Sequence, residues 1–174
     1  MTGTTRSAKT IKGRALASAK NPLMWEPGSK WKYGGEGLHV AAYIVEKYSG
    51  MPYSKFLKTR ILGPLGMENT YFTIKNVPKS RSVPTHRKLK NGKWESFERG
   101  DFGGGRGGPY FAVDGGFFST VEDLFRWCQM LLNGGEFGGV RYLSENSVRE
   151  LTRKQTGDVK LAGHGPGNFH ALAF

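Results

Sequence analysis

From Leu38 to Ile61 apolar residues recur every three or four positions, and the recurrence breaks once, at Gly50-Met51-Pro52. Leu38, Ala41, Ala42, Val45 and Tyr48 predict one helix face, with Glu46 and Lys47 polar between them and Gly50 as the stop. After Pro52 a second face, Tyr53, Phe56, Leu57 and Ile61, ends at Gly63-Pro64. Two amphipathic helices in tandem must each lie against another layer, so the chain has to be a folded domain with helices on its surface.

Two more helices follow the same logic. Ser119 with Glu122 three residues later reads as a capping box, and behind it Leu124, Phe125, Cys128, Leu131 and Leu132 predict an apolar face up to Gly134-Gly135. Ser144 reads as the N-cap of a shorter helix that buries Val148 and Leu151 and carries Arg153 and Lys154 in its last turn, where cations suit the helix dipole. Between these pairs, from Thr73 to Val113, periodicity fades and positive charge gathers at Lys75, Lys79, Arg81, Arg87, Lys88, Lys90 and Lys93, which predicts a loop-rich basic excursion. Asn91-Gly92 inside it predicts a short β-ribbon closed by a two-residue turn.

Composition sets the outer limits. Apolar residues are 37% and charged residues 23% of 174, a globular balance, while 26 glycines are about double ordinary usage and call for many loops. Cys128 is the single cysteine, which excludes an intrachain disulfide and a cysteine-based zinc site. Residues 1–20 are basic and polar and lack the apolar run of a secretory signal, and no stretch approaches the ~20 apolar residues of a membrane span. A net charge of +12 favours anionic partners without naming one.

The motifs are more specific. Pro27-Gly28-Ser29-Lys30-Trp31-Lys32-Tyr33-Gly34-Gly35, then Ser49-Gly50-Met51-Pro52-Tyr53, then Leu62-Gly63-Pro64-Leu65-Gly66-Met67-Glu68-Asn69-Thr70 resembles, in order, the middle of the superfamily of class C β-lactamases, penicillin-binding DD-peptidases and related esterases. Asp114-Gly115-Gly116-Phe117-Phe118-Ser119-Thr120, the helix behind it and Arg141-Tyr142-Leu143-Ser144 resemble the same family's later glycine turn and helix. The blocks cover most of residues 21–156.

That resemblance implies acyl transfer: a Ser-x-x-Lys serine attacks a carbonyl, a lysine and a tyrosine manage its proton, and backbone N–H groups hold the oxyanion. Tyr33 matches the first position of the family's Tyr-x-Asn motif and is the one residue carried over as catalytic, whereas Gly35 stands where the asparagine is expected. A phenol with an ordinary pKa of ~10 works as a base near neutrality only beside cations, so Tyr33 requires a lysine partner. Ser29-Lys30-Trp31-Lys32 has the spacing of the serine motif, but it overlaps the Pro-Gly turn instead of opening a buried helix, and we read Ser29 as a coincidental match. The serine motif is expected well upstream of the tyrosine motif, and only 32 residues precede Tyr33. The closing Lys-Thr-Gly or His-x-Gly motif is not matched by His164-Gly165-Pro166 or His170-Ala171-Leu172. A proline at 166 also disfavours the expected strand, so a truncated or frame-shifted product is the expectation.

Other readings compete. There is no Gly-x-Ser-x-Gly elbow, P-loop or dinucleotide fingerprint, and His39, His86, His164 and His170 lack the i, i+4 spacing of a helical metal site. The Arg-Gly-rich, aromatic-bearing segment 99–110 offers an RNA-binding alternative, and the loss of the asparagine and serine offers a non-catalytic relative that binds wall peptides or a partner. The fold expected is α+β, the mostly helical portion of a β-lactamase/transpeptidase-like fold with most of the antiparallel sheet missing. It divides into a basic polar segment (1–20), a partial β-lactamase-like domain (21–162, with 73–113 as the excursion) and an atypical tail (163–174). The resemblance implies a serine hydrolase for esters or amides, such as a β-lactam, a D-Ala-D-Ala peptide or a simple ester, with no metal and no organic cofactor. The isolated chain is expected to be inactive and to self-associate through uncovered apolar faces. Many relatives work in the periplasm or outside the cell, while this chain shows no export signal.

Overall fold

The computed structural model describes residues 8–97, 112–159 and 170–172. Thr10, in extended conformation, accepts a hydrogen bond from the Gly13 amide (2.9 Å) and starts helix α1, Ile11–Ala19, within the segment expected only to be basic and polar. Ile11 and Ala15, one turn apart, form its buried face against α2. Helix α2, Glu36–Ser49, stops where the sequence predicts: Gly50 adopts the left-handed conformation (φ 66°) and its N–H donates to Glu46 O. Its inward face differs from the expectation. His39 and Ala42 are fully buried, whereas Leu38, Ala41 and Tyr48 of the predicted face are exposed. The reason is polar: Glu36 bonds to α1, and Glu46 Oε1 accepts from the Tyr53 amide (3.0 Å) to open α3, so the hydrogen-bonding side of α2 turns toward its neighbours.

Helix α3, Tyr53–Leu57, runs on as one π-helical turn, Lys58–Leu62, closed by Gly63 N–H donating to Lys58 O. Here the predicted face holds: Leu57 is buried and Tyr53, Phe56 and Ile61 are half-buried. Burial raises the pKa of Tyr53 above its ordinary value. The chain then folds over helix α4, Val121–Leu132, and the main core forms from Leu62, Leu65, Met67 and Met130, with Phe72, Trp127, Phe137 and Leu143 packed against it. The N-cap of α4 is Thr120, not Ser119: the Thr120 hydroxyl accepts from the Asp123 amide, while the Ser119 hydroxyl is engaged with that of Thr70 at 2.8 Å. Its buried side is Asp123 and Met130. The predicted face, Leu124, Phe125, Cys128 and Leu132, is exposed and only Leu131 is half-buried.

Strands β3 (Glu136–Phe137) and β4 (Val140–Arg141) form a small ribbon after α4, and the Tyr142 hydroxyl donates to Pro64 O (2.8 Å) to close the core. Helix α5, Glu145–Thr152, starts at Ser144 as expected, with Val148 and Leu151 half-buried. The cation in its last turn is Arg149, because the helix ends before Arg153, which pairs with Glu150. In the tail, His170 O accepts from Gln155 N–H and Leu172 N–H donates to Leu151 O.

The basic excursion carries the expected hairpin, β1 (Thr85–Lys88) with β2 (Trp94–Phe97), antiparallel with Lys88 opposite Trp94. Its loop has three residues, not two. Leu89 N–H donates to Lys93 O (2.8 Å), and Gly92 supplies a left-handed conformation (φ 81°). Among the described residues the strands amount to these two ribbons and a Tyr71–Phe118 bridge. The Arg-Gly-rich stretch 99–110 and His164 lie outside the described residues. Among those described, no helix is long and apolar enough to cross a membrane.

Candidate active site

Tyr33 reaches its position through the turn that begins at Pro27-Gly28. Gly28 has φ 80°, and Ser29 N–H donates to Glu26 O (3.1 Å), so the chain reverses before Lys30. Residues 30–34 then run without regular structure into Gly35, the N-cap of α2. Tyr33 is 78% exposed, and the ring of Trp31 meets it edge-on at 6.5 Å. Trp31 in turn stacks on His170 at 4.7 Å, so ring contacts tie the tail segment to the tyrosine segment.

The start of α2 is held from both sides. His39 Nδ1 lies 2.9 Å from Gly35 O, which also accepts from the His39 amide. Glu36 receives Arg14 Nη2 at 2.9 Å and the Ser18 hydroxyl at 2.6 Å. The Arg14 guanidinium holds the Glu36 carboxyl below its ordinary value, burial opposes the shift, and the Ser18 hydroxyl adds to it. Asp114 comes from the other side, packed so closely on Gly35 that a Cβ there would lie 2.6 Å from both Cβ and Cγ of Asp114.

The glycine turn that carries Asp114 is fixed by the core. Tyr71 and Phe118 exchange backbone hydrogen bonds of 2.8 and 2.9 Å, and the buried carboxylate of Asp123 accepts from Asn69 N–H (2.9 Å) and the Thr70 hydroxyl (2.7 Å). The Gly66–Thr70 block and the Asp114–Thr120 block, far apart in sequence, thus form one joined unit.

Among the described residues Tyr33 has no hydrogen bond or ion pair, and Lys30 and Lys32 lie over the Trp25 ring at 5.9 and 6.0 Å. Ser29 sits in the turn, not on a helix, and its hydroxyl donates to Glu26 O at 2.6 Å. His39 is buried in α2 and His86 is exposed on β1; no His/Cys/Asp/Glu cluster able to hold a metal occurs among the described residues. Sequence reasoning did not assign Asp114 or His170 to this neighbourhood. The only available signal for Asp114 was the missing side chain at Gly35.

The comparisons with known proteins agree with one another. The family model for beta-lactamase matches residues 12–172. A Salmonella schwarzengrund protein named for D-alanyl-D-alanine carboxypeptidase activity is 27% identical over 155 residues, which is 80% of this chain and 35% of that protein. The octameric penicillin-binding protein homologue of Pyrococcus abyssi superposes on 96% of this chain and 35% of its own, with a TM-score of 0.72 and 24% identity. A D-stereospecific amidohydrolase from Streptomyces sp. superposes on 97% of this chain and 45% of its own, with a TM-score of 0.66 and 21% identity. The chain spans about a third of the length of the curated relatives it matches.

Proposed function

The chain belongs to the beta-lactamase family, and on that premise we propose that it is part of a serine hydrolase that cleaves an amide or ester through an acyl-serine intermediate. The observation that carries the reading is the close approach of the family's two blocks beside an exposed phenol: Asp114 packs on Gly35, two residues after Tyr33, and the turn that carries Asp114 is joined to the core through Tyr71 and Phe118. Peptide or amide substrates are favoured over simple esters, since relatives are named for D-alanyl-D-alanine carboxypeptidase and D-stereospecific amidohydrolase activity. Within such an enzyme Tyr33 would take part in moving the proton of an attacking serine, with a lysine beside it lowering the energy of its phenolate. Neither Ser29, bonded to Glu26 O, nor Lys30 and Lys32, drawn to Trp25, is arranged to supply those groups.

In isolation the chain is accordingly inactive. Incubation with a fluorophosphonate probe followed by intact-mass measurement and peptide mapping tests this. No adduct is expected, and labelling at Ser29 would make the chain a self-sufficient hydrolase. The exposed apolar residues of α2 (Val40, Ile44, Tyr48) and α4 (Val121, Phe125, Leu132) further favour self-association of the isolated chain. A monomer with a sharp, cooperative melt would contradict that. A non-catalytic relative that binds wall peptides is the second reading, supported by glycine at position 35.

A further inference from the structure

The third position of the tyrosine motif has no side chain of its own, yet the space is filled. A Cβ at Gly35 would lie 2.6 Å from Asp114 Cβ and Cγ and closer still to Oδ2. Because Asp114 Cβ is itself that near, turning the carboxylate away does not make room; one backbone would have to move. Both backbones are tied down. Gly35 O is engaged by His39, and the Asp114 turn is held by Gly115 N–H on the carbonyl of the buried Ala112 and by the Tyr71–Phe118 bridge beyond it. Asp114 is exposed and has no hydrogen bond or ion pair among the described residues.

We propose that Asp114 stands in for the motif's asparagine and makes the subsite beside Tyr33 selective for ligands that present a protonated amine. An amide side chain both donates and accepts, whereas a carboxylate only accepts and carries a full charge. The exchange therefore removes the donor that would meet a ligand carbonyl and supplies an anion that suits an ammonium group, with a charge-assisted hydrogen bond about twice as strong as a neutral one. The chain's net charge of +12 favours anions overall, so the preference for a cation is local to this unpaired carboxylate. The ligand class is an amide or short peptide of an amino acid with a free α-ammonium, not its N-acylated form. A role confined to stabilising the N-terminus of α2 is the structural alternative, and it would be indifferent to the ligand.

This inference rests on the hydrolase reading for the nature of the ligand, and it is tested by binding without turnover. The 174-residue chain, labelled with nitrogen-15, is titrated at pH 6 and low salt with D-alaninamide and separately with N-acetyl-D-alaninamide, following the Gly34, Gly35 and Gly115 amides. D-Alaninamide should bind about 2- to 5-fold more tightly, the range for an exposed ion pair, and Asp114→Asn should erase the preference. Equal binding of both ligands, no binding of either, or a preference that survives Asp114→Asn would overturn the proposal. Failure of the hydrolase reading shows separately, as binding of neither ligand by the native chain or by Asp114→Asn, whereas failure of the Asp114 proposal alone shows as binding without a preference or with one that survives Asp114→Asn. The contact itself has its own readout: Gly35→Ala should lower Tm by about 3–6 °C in the native background and by much less beside Asp114→Gly, which removes the Cβ that Ala would keep. An equal drop in both backgrounds would remove the juxtaposition on which the subsite depends.

Discussion

The half of the molecule around Met130 and the half that carries Tyr33 are held in different ways. In the first, Leu62, Leu65, Met67 and Met130 exclude water together, and the buried Asp123 carboxylate and the Tyr142 hydroxyl join segments more than fifty residues apart. In the second, α1 and α2 bury small residues, Ala15 and Ala42, beside Ile11, and depend on the bonds of Arg14 and Ser18 to Glu36. The segment bearing the candidate catalytic residue thus projects from the lighter half. The stability that positions the Tyr33 segment therefore lies largely outside it.

The strongest way to break this comparison is Met130→Ala. It removes a side chain that is 1% exposed, so a loss of about 2–5 kcal/mol is expected in chemical denaturation, lowering the stability of both halves together. A loss below 1 kcal/mol would mean that the core is not what holds the chain. Asp123→Ala comes next, leaving Asn69 N–H and the Thr70 hydroxyl without their acceptor, at about 1–3 kcal/mol and with detachment of the glycine turn from the core. Arg14→Ala should cost about 1 kcal/mol or less and loosen α1 and α2 while the α4 signals stay unchanged, a split that amide shifts would reveal. The smallest effect is that of pH. The folded pKa of Glu36 is depressed, so its contribution is fully present above the ordinary value of 4.5 and is lost as pH falls through the lower folded value. An acid titration that loosened α1 before pH reached 4.5 would implicate another group.

Much of this was legible in the sequence, and the failures share a cause. Gly50 ends α2, Ser144 caps α5 and Asn91-Gly92 closes a hairpin because these signals are local: a backbone conformation or a hydroxyl one turn away decides them. Periodicity gave the extent of α2 and α4 but only part of their inward sides: Ala42 and Val45 of the predicted α2 face turn inward while Leu38, Ala41 and Tyr48 do not, and α4 is turned by Asp123, which is bonded to the distant Asn69 and Thr70. Ser119 lost the cap of α4 to Thr120 for the same reason, its hydroxyl being engaged with Thr70. Helix α1 was missed because a basic, serine- and threonine-rich stretch shows little apolar pattern, and its helix rests on packing against α2. Tyr33 was proposed from its motif alone, whereas the approach of Asp114 to Gly35 and of His170 to Trp31 arises only by folding.

The central claim is that the Met130 half carries the stability and the Tyr33 half is the weaker partner. Native-state amide hydrogen exchange, read residue by residue, tests it most directly. Trp127–Leu131 amides should exchange only through global unfolding, while α1 and the first turns of α2 exchange through a smaller opening that Arg14→Ala lowers further. Equal protection across the two halves, or greater protection in α1 and α2, would contradict it.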